Sequence, residues 1–148
     1  MPLDLFSKTP LPESLPEKMQ ITVDELKKSS GKEDCLKKVY GIMTRKYRGY
    51  RVKTYTRFFE VFKKDIGCFW GREGFLHCTN MNFVMRTLLV KSGFFSEEDL
   101  NLKWTQIWYV SPHQFLQVNV DGKWIDIDIW ANTYGVGFGD HASGFKRS

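Results

Sequence analysis

Apolar residues recur at two different spacings along this chain, and the change falls near residue 102. Before it the period is helical. In EDCLKKVYGIMTRKY, 33–47, apolar side chains stand at 35, 36, 39, 42, 43 and 47, which predicts a helix with one buried face. RFFEVFKKDIGCFW, 57–70, suits a second helix, stopped near Gly67. GFLHCTNMNFVMRTLL, 74–89, opens as a loop and continues as a third. Its Met81, Val84, Met85, Leu88 and Leu89 form one stripe, Thr79 and Asn80 are cap-type residues, and Gly93 is a C-terminal stop. A short helix from TVDELKK, capped by Thr22 or Asp24, and a turn capped by Ser96 complete the helical part. Residues 1–18, with their spaced prolines, are expected as an extended arm, and 19–148 as one domain.

After residue 102 the period falls to two. KWTQIWYV, HQFLQVNV and KWIDIDIW alternate and are rich in β-branched and aromatic residues, so they predict strands. Asp121-Gly122 between the last two is a hairpin signal. Helices first and an antiparallel sheet second give an α+β fold. The glycine-rich tail from Asn132 is expected to be irregular, with His141 exposed.

A two-residue turn fixes the register. Val120 then faces Lys123, Gln117 faces Asp126 and Phe115 faces Asp128. One face carries Leu116, Val118, Val120, Ile125, Ile127 and Ile129, a core face. The other carries His113, Phe115, Gln117, Trp124, Asp126 and Asp128. Aromatics among those polar groups imply a cover, and the helix beginning at Cys78 is the expected one. His113 and Asp128 become diagonal neighbours, within reach of each other's side chains, whereas Asp126 lies two residues further off.

Composition narrows the class. At 148 residues, 42% apolar and 16% aromatic, the chain can bury a core, which excludes global disorder. The formal charge is +5, concentrated between Lys37 and Lys64. That stretch reads as solvated helix faces, in preference to a phosphate-tracking groove with Tyr47, Tyr50, Tyr55 and Phe58 as stacking partners. Three cysteines, Cys35, Cys68 and Cys78, without CxxC spacing give neither a disulfide framework nor a zinc site, and nothing calls for a cofactor. A metal site from His77, Cys78, His113 and Asp128 lacks characteristic ligand spacing. With no signal-like start and no ~20-residue apolar run, a soluble, cytoplasmic protein is expected, with no membrane partner.

The chemistry lies in Cys78, His113 and Asp128. The nucleophile in thiol chemistry is the thiolate, and a helix N-terminus beside an imidazolium favours it. Asp128 would hold one ring nitrogen of His113, and the other would face the sulfur and protonate a leaving group. The N–H of Cys78 could help hold an oxyanion. Trp70, Trp104 and Trp108 are cleft or oxyanion candidates, although large aromatics usually fill cores. His77 is a neighbour of Cys78, and Cys35 and Cys68 read as packing. Each group alone would be unremarkable; their order, each on its expected element, points to catalysis.

HQFLQVNVDGKWIDID, His113 to Asp128, resembles the transglutaminase-like superfamily of the papain-like cysteine-enzyme fold. That family shows a His, an aromatic two residues on, a D-G-x-W turn and then the acid. FLHCTNMNFVMRTLLVKSG resembles its cysteine helix. Leu76, Thr79, Phe115 and Ile129 stand where the family usually has Gly, Trp, Trp and Pro. The resemblance covers roughly residues 70–130. It implies a peptidase, amidase or transglutaminase acting through a thioester on a protein or peptide amide, or a relative that keeps the fold as a binding module without turnover. A nucleic-acid-binding role for 37–64 is the remaining alternative.

Overall fold

The computed structural model describes residues 10–49, 66–107 and 111–142. The helices are α1 (Glu17–Leu26), α2 (Lys32–Lys46), α3 (Ile66–Trp70), α4 (Cys78–Lys91) and α5 (Ile129–Asn132). The strands are β1 (Tyr47–Arg48), β2 (Gly74–Phe75), β3 (Leu100–Ile107), β4 (Ser111–Val120) and β5 (Lys123–Ile127). β3, β4 and β5 form an antiparallel sheet in that order, and β1 pairs with β2 in parallel. All the described helices but the short α5 precede the main antiparallel sheet, so the chain is α+β.

The hairpin obeys its turn residues. Asp121 (φ 53°) and Gly122 (φ 88°) are both left-handed, the conformation that a two-residue turn of matching twist requires. The ladder runs Val120↔Lys123, Gln117↔Asp126 and Leu116↔Ile127, the register expected from the sequence. Leu116, Val118 and Ile127 are fully buried on one face, and Leu100 joins them from β3.

α4 departs from a one-sided stripe. Every residue from Thr79 to Leu89 is buried, because α2, α3, α5 and β4 pack around it. The helix is enclosed although Thr79, Asn80, Asn82, Arg86 and Thr87 are polar, so burial here follows from its central position and not from an apolar surface. Its one charged residue before the last turn, Arg86, is fully buried and pairs with Glu97 at 2.9 Å. Thr79 and Asn80 do not cap it; His77 occupies the cap position without a side-chain cap bond. Gly93, at φ 86°, does follow its end.

Three boundaries differ from the sequence reading. α1 starts at Glu17, inside the proline-spaced arm, and neither Thr22 nor Asp24 caps it. The Thr22 hydroxyl instead donates to the Lys18 carbonyl within the helix. The signal was Met19, Val23 and Leu26, one buried row worth roughly 1.5–3 kcal/mol per side chain. α3 runs through Gly67 to Trp70, while residues 57–65 lie outside the described residues. β5 ends at Ile127, because Asp128 turns the chain: its Oδ1 accepts the N–H of Ala131 at 3.0 Å and caps α5. Ile129 stays buried, but in a helix. Among the described residues, no helix is long and apolar enough to cross a membrane.

Candidate functional site

Cys78 is the first residue of α4. His77 ahead of it is extended (φ −67°, ψ 153°), and its carbonyl accepts the first helical N–H, from Met81 at 2.9 Å. The thiol therefore sits where a helix presents N–H groups that have no partner within the helix. Cys78 is partly exposed, whereas His113 and Asp128 are buried.

His113 lies on β4 opposite Thr105 of β3, beyond the last β4–β5 pair at Leu116↔Ile127. Its Nε2 is 2.6 Å from Asp128 Oδ2. Asp128 is fixed on both oxygens: Oδ1 takes the Ala131 N–H, and Oδ2 also takes the Ala142 N–H at 3.0 Å. Cys78 also acts on the His113 ring, in the direction that favours its charged form. With Nε2 on the carboxylate, Nδ1 is the nitrogen left for the sulfur.

Burial by itself opposes a charge on His113. The Asp128 carboxylate outweighs it through its charge and hydrogen bond, Cys78 adds to this, and the pKa is pushed up to about 10. The pairing favours the imidazolium form of the ring. Sulfur, ring and carboxylate are thus joined in one chain of contacts.

The helix beginning at Cys78 packs against β4, and its first residue acts on His113. A polar link from α4 to the sheet is Asn82, whose Nδ2 donates to the Gln114 carbonyl at 3.2 Å and to Gln114 Oε1 at 3.1 Å. Gln114 belongs to the Leu116 face. His113 adjoins the helix start at Cys78, beyond the last β4–β5 pair. On the opposite face it is His141 that covers Phe115, stacked at 4.0 Å and 7°, with Nδ1 3.0 Å from Asp126 Oδ2. Gln117 Nε2 donates to the other Asp126 oxygen at 2.9 Å. His141 is therefore engaged, contrary to its expected exposure. Trp124 remains outward, 42% exposed.

Two contributors were not read from the sequence. Trp130 packs against the His113 ring at 5.3 Å. Gly49 passes so close behind Trp130 that a Cβ there would sit 2.4 Å from its carbonyl oxygen and 2.7 Å from its ring. The Gly49 N–H donates to Thr133 Oγ1 at 2.9 Å. A glycine in KYRGYR reads as a turn; only the fold shows a close approach.

The other candidates fall elsewhere. Trp70 packs on the core with Lys46 Nζ 4.8 Å from its ring centre. Trp104 stands opposite Gln114, its indole N–H buried without an acceptor among the described residues. Trp108 lies outside the described residues. His77 is buried edge-on to Phe75 at 5.0 Å. Cys35 is buried 3.5 Å from Ser92 Oγ, and burial pushes its thiol pKa up. Cys68 is partly buried, and like the other two cysteines it forms no disulfide.

In the basic stretch, Tyr47 is buried with its hydroxyl donating to the Phe69 carbonyl at 2.7 Å, so it offers no stacking face. Lys37 and Lys38 pair with Glu33 and Asp34, each at 3.0 Å. Tyr50, Tyr55 and Phe58 lie outside the described residues. A groove of about 480 Å³ lined by α1 and α2, with Ile21, Leu26, Ile42 and Arg45 among its walls, includes none of the three central residues. Among the described residues, no group of three or more His, Cys, Asp or Glu is placed to hold a metal ion. No family model, no curated protein and no solved structure matches the chain.

Proposed function

We propose that this protein is a thiol-dependent acyl-transfer enzyme of the transglutaminase-like, papain-like type, acting on a protein or peptide amide through a thioester. The observation that carries the reading is the buried His113–Asp128 contact of 2.6 Å, with Cys78 acting on the same ring from the mouth of a helix.

In this reading the Cys78 thiolate adds to the carbonyl carbon. The oxyanion is held by N–H groups of the first turn of α4, the N–H of Cys78 among them; one such donor is typically worth about 2.7–4 kcal/mol in the transition state. The His113 imidazolium gives a proton to the departing amine as the C–N bond breaks, leaving a thioester and a neutral ring. That ring then takes a proton from water or from an acceptor amine, whose attack releases the acyl group and returns the thiol proton balance to its start. Asp128 keeps the ring oriented and stabilises its charge.

The test is acylation by p-nitrophenyl acetate, followed by p-nitrophenolate release and by mass spectrometry of the protein. The expected result is an acetyl group on Cys78, formed in a burst and lost by hydrolysis. Absence of that adduct, or equal labelling of Cys68, contradicts the reading and leaves a fold without turnover.

A further inference from the structure

The chain carries a second histidine–carboxylate contact, His141 with Asp126, and it is tied to the first. Asp126 and Asp128 are two residues apart, and Phe115 stands two residues from His113 on β4. The His141 ring is fixed twice, by its Nδ1 on Asp126 and by its stack on Phe115. Gln117 holds the other oxygen of Asp126, so the anchor is itself oriented. The next residue, Ala142, is fully buried, and its N–H reaches the Asp128 oxygen that His113 uses.

We propose that His141 is a positioning residue for the Cys78–His113–Asp128 site: by clamping the tail to β4 and β5, it delivers the Ala142 N–H to Asp128. The proposal rests on the acyl-transfer reading for its catalytic consequence, though the contact itself can be tested without it. A carboxylate bonded only through Ala131 could turn about its Cβ–Cγ bond. The Ala142 N–H closes that freedom on the Oδ2 side, and His113 inherits the orientation. The seat is built from two side chains of β4 and one of β5, and the ring placed in it acts as a latch. Misplacing a reacting group by ~1 Å can reduce a rate by up to about a hundredfold.

The experiment uses the full-length protein and four variants: His141→Ala, His141→Asn, Ala142→Pro and the double variant His141→Ala with Ala142→Pro. Two quantities are read: the rate at which p-nitrophenyl acetate acylates Cys78, and the low-field NMR signal of the proton between His113 and Asp128. Circular dichroism checks that each variant is folded. His141→Ala should slow acylation about tenfold or more and shift or broaden the low-field signal while the fold persists. His141→Asn, which keeps a donor near the position of Nδ1, should recover part of both. The double variant should be no slower than Ala142→Pro alone, because both changes remove one N–H contact. An unchanged low-field signal in His141→Ala, or losses that add in the double variant, would overturn the proposal. If wild-type Cys78 is not acylated, the acyl-transfer reading falls, and the NMR signal still decides the positioning role.

Discussion

His113 Nε2 and Asp128 Oδ2 lie 2.6 Å apart, although 15 residues and a hairpin separate them in the chain. Both groups are buried, and the carboxylate accepts two backbone N–H groups besides the ring. An unpaired charge in that position would be strongly destabilising, so the pair is held together by burial as much as by attraction.

Asp128→Asn keeps the shape and an acceptor for Ala131 but removes the charge that keeps His113 protonated. Acylation of Cys78 should fall on the order of 10⁴-fold, the loss that removing the corresponding charge causes in other triads. Asp128→Ala also deletes the cap of α5, which adds about 0.5–2 kcal/mol of destabilisation. Burst kinetics and urea unfolding check the two effects separately.

The raised pKa of His113 makes stability depend on pH. The folded chain binds this proton up to about pH 10 and the unfolded chain only to its ordinary value of 6.5. The stabilisation is therefore complete below pH 6.5 and is lost as the pH rises from there through about 10. One proton gives a slope of at most about 1.4 kcal/mol per pH unit. Urea unfolding across this window should show the decline, and His113→Gln should flatten it.

Gly49→Ala should disturb the site from behind. The added Cβ would meet the Trp130 carbonyl at 2.4 Å, so backbone must shift, and Trp130 packs on His113. We expect a loss of about 1–3 kcal/mol, typical of overpacking, with slower acylation of Cys78. Gly31 has no atom within 4 Å of an added Cβ, so Gly31→Ala serves as the control.

Asn82→Ala removes the donor that holds Gln114 through both its carbonyl and its side chain. Deleting one partner of a buried hydrogen bond costs about 1–3 kcal/mol. The midpoint of urea unfolding should fall, and Gln114→Leu added to Asn82→Ala should recover part of the loss.

What the sequence made legible was local or periodic. Asp121-Gly122 set the hairpin and its register, and the register alone placed Asp128, rather than Asp126, beside His113. The run from Cys35 to Met43 and the run after Cys78 announced their helices by spacing. The features that stayed hidden depend on distant chain. Tyr47 and Arg48 pair with Gly74 and Phe75 in a strand of two residues, too short to alternate. Ile129 fits the alternation of KWIDIDIW, yet Asp128 caps a helix there, and local capping won over strand propensity. His141 sits in a glycine-rich tail with no periodicity, and its partners Phe115 and Asp126 identify themselves only once the tail folds back. The bond from Asn82 of α4 to Gln114 was likewise not legible, because it depends on how the helix docks on the sheet.

The central claim is that His113 activates Cys78, and the rate of Cys78 alkylation by iodoacetamide across pH, with buried Cys35 as internal reference, tests it most directly. The account predicts that Cys78 reacts faster than free cysteine near neutral pH and that His113→Gln abolishes the advantage. A Cys78 that reacts no faster than free cysteine, or equally fast with and without the imidazole, would contradict it.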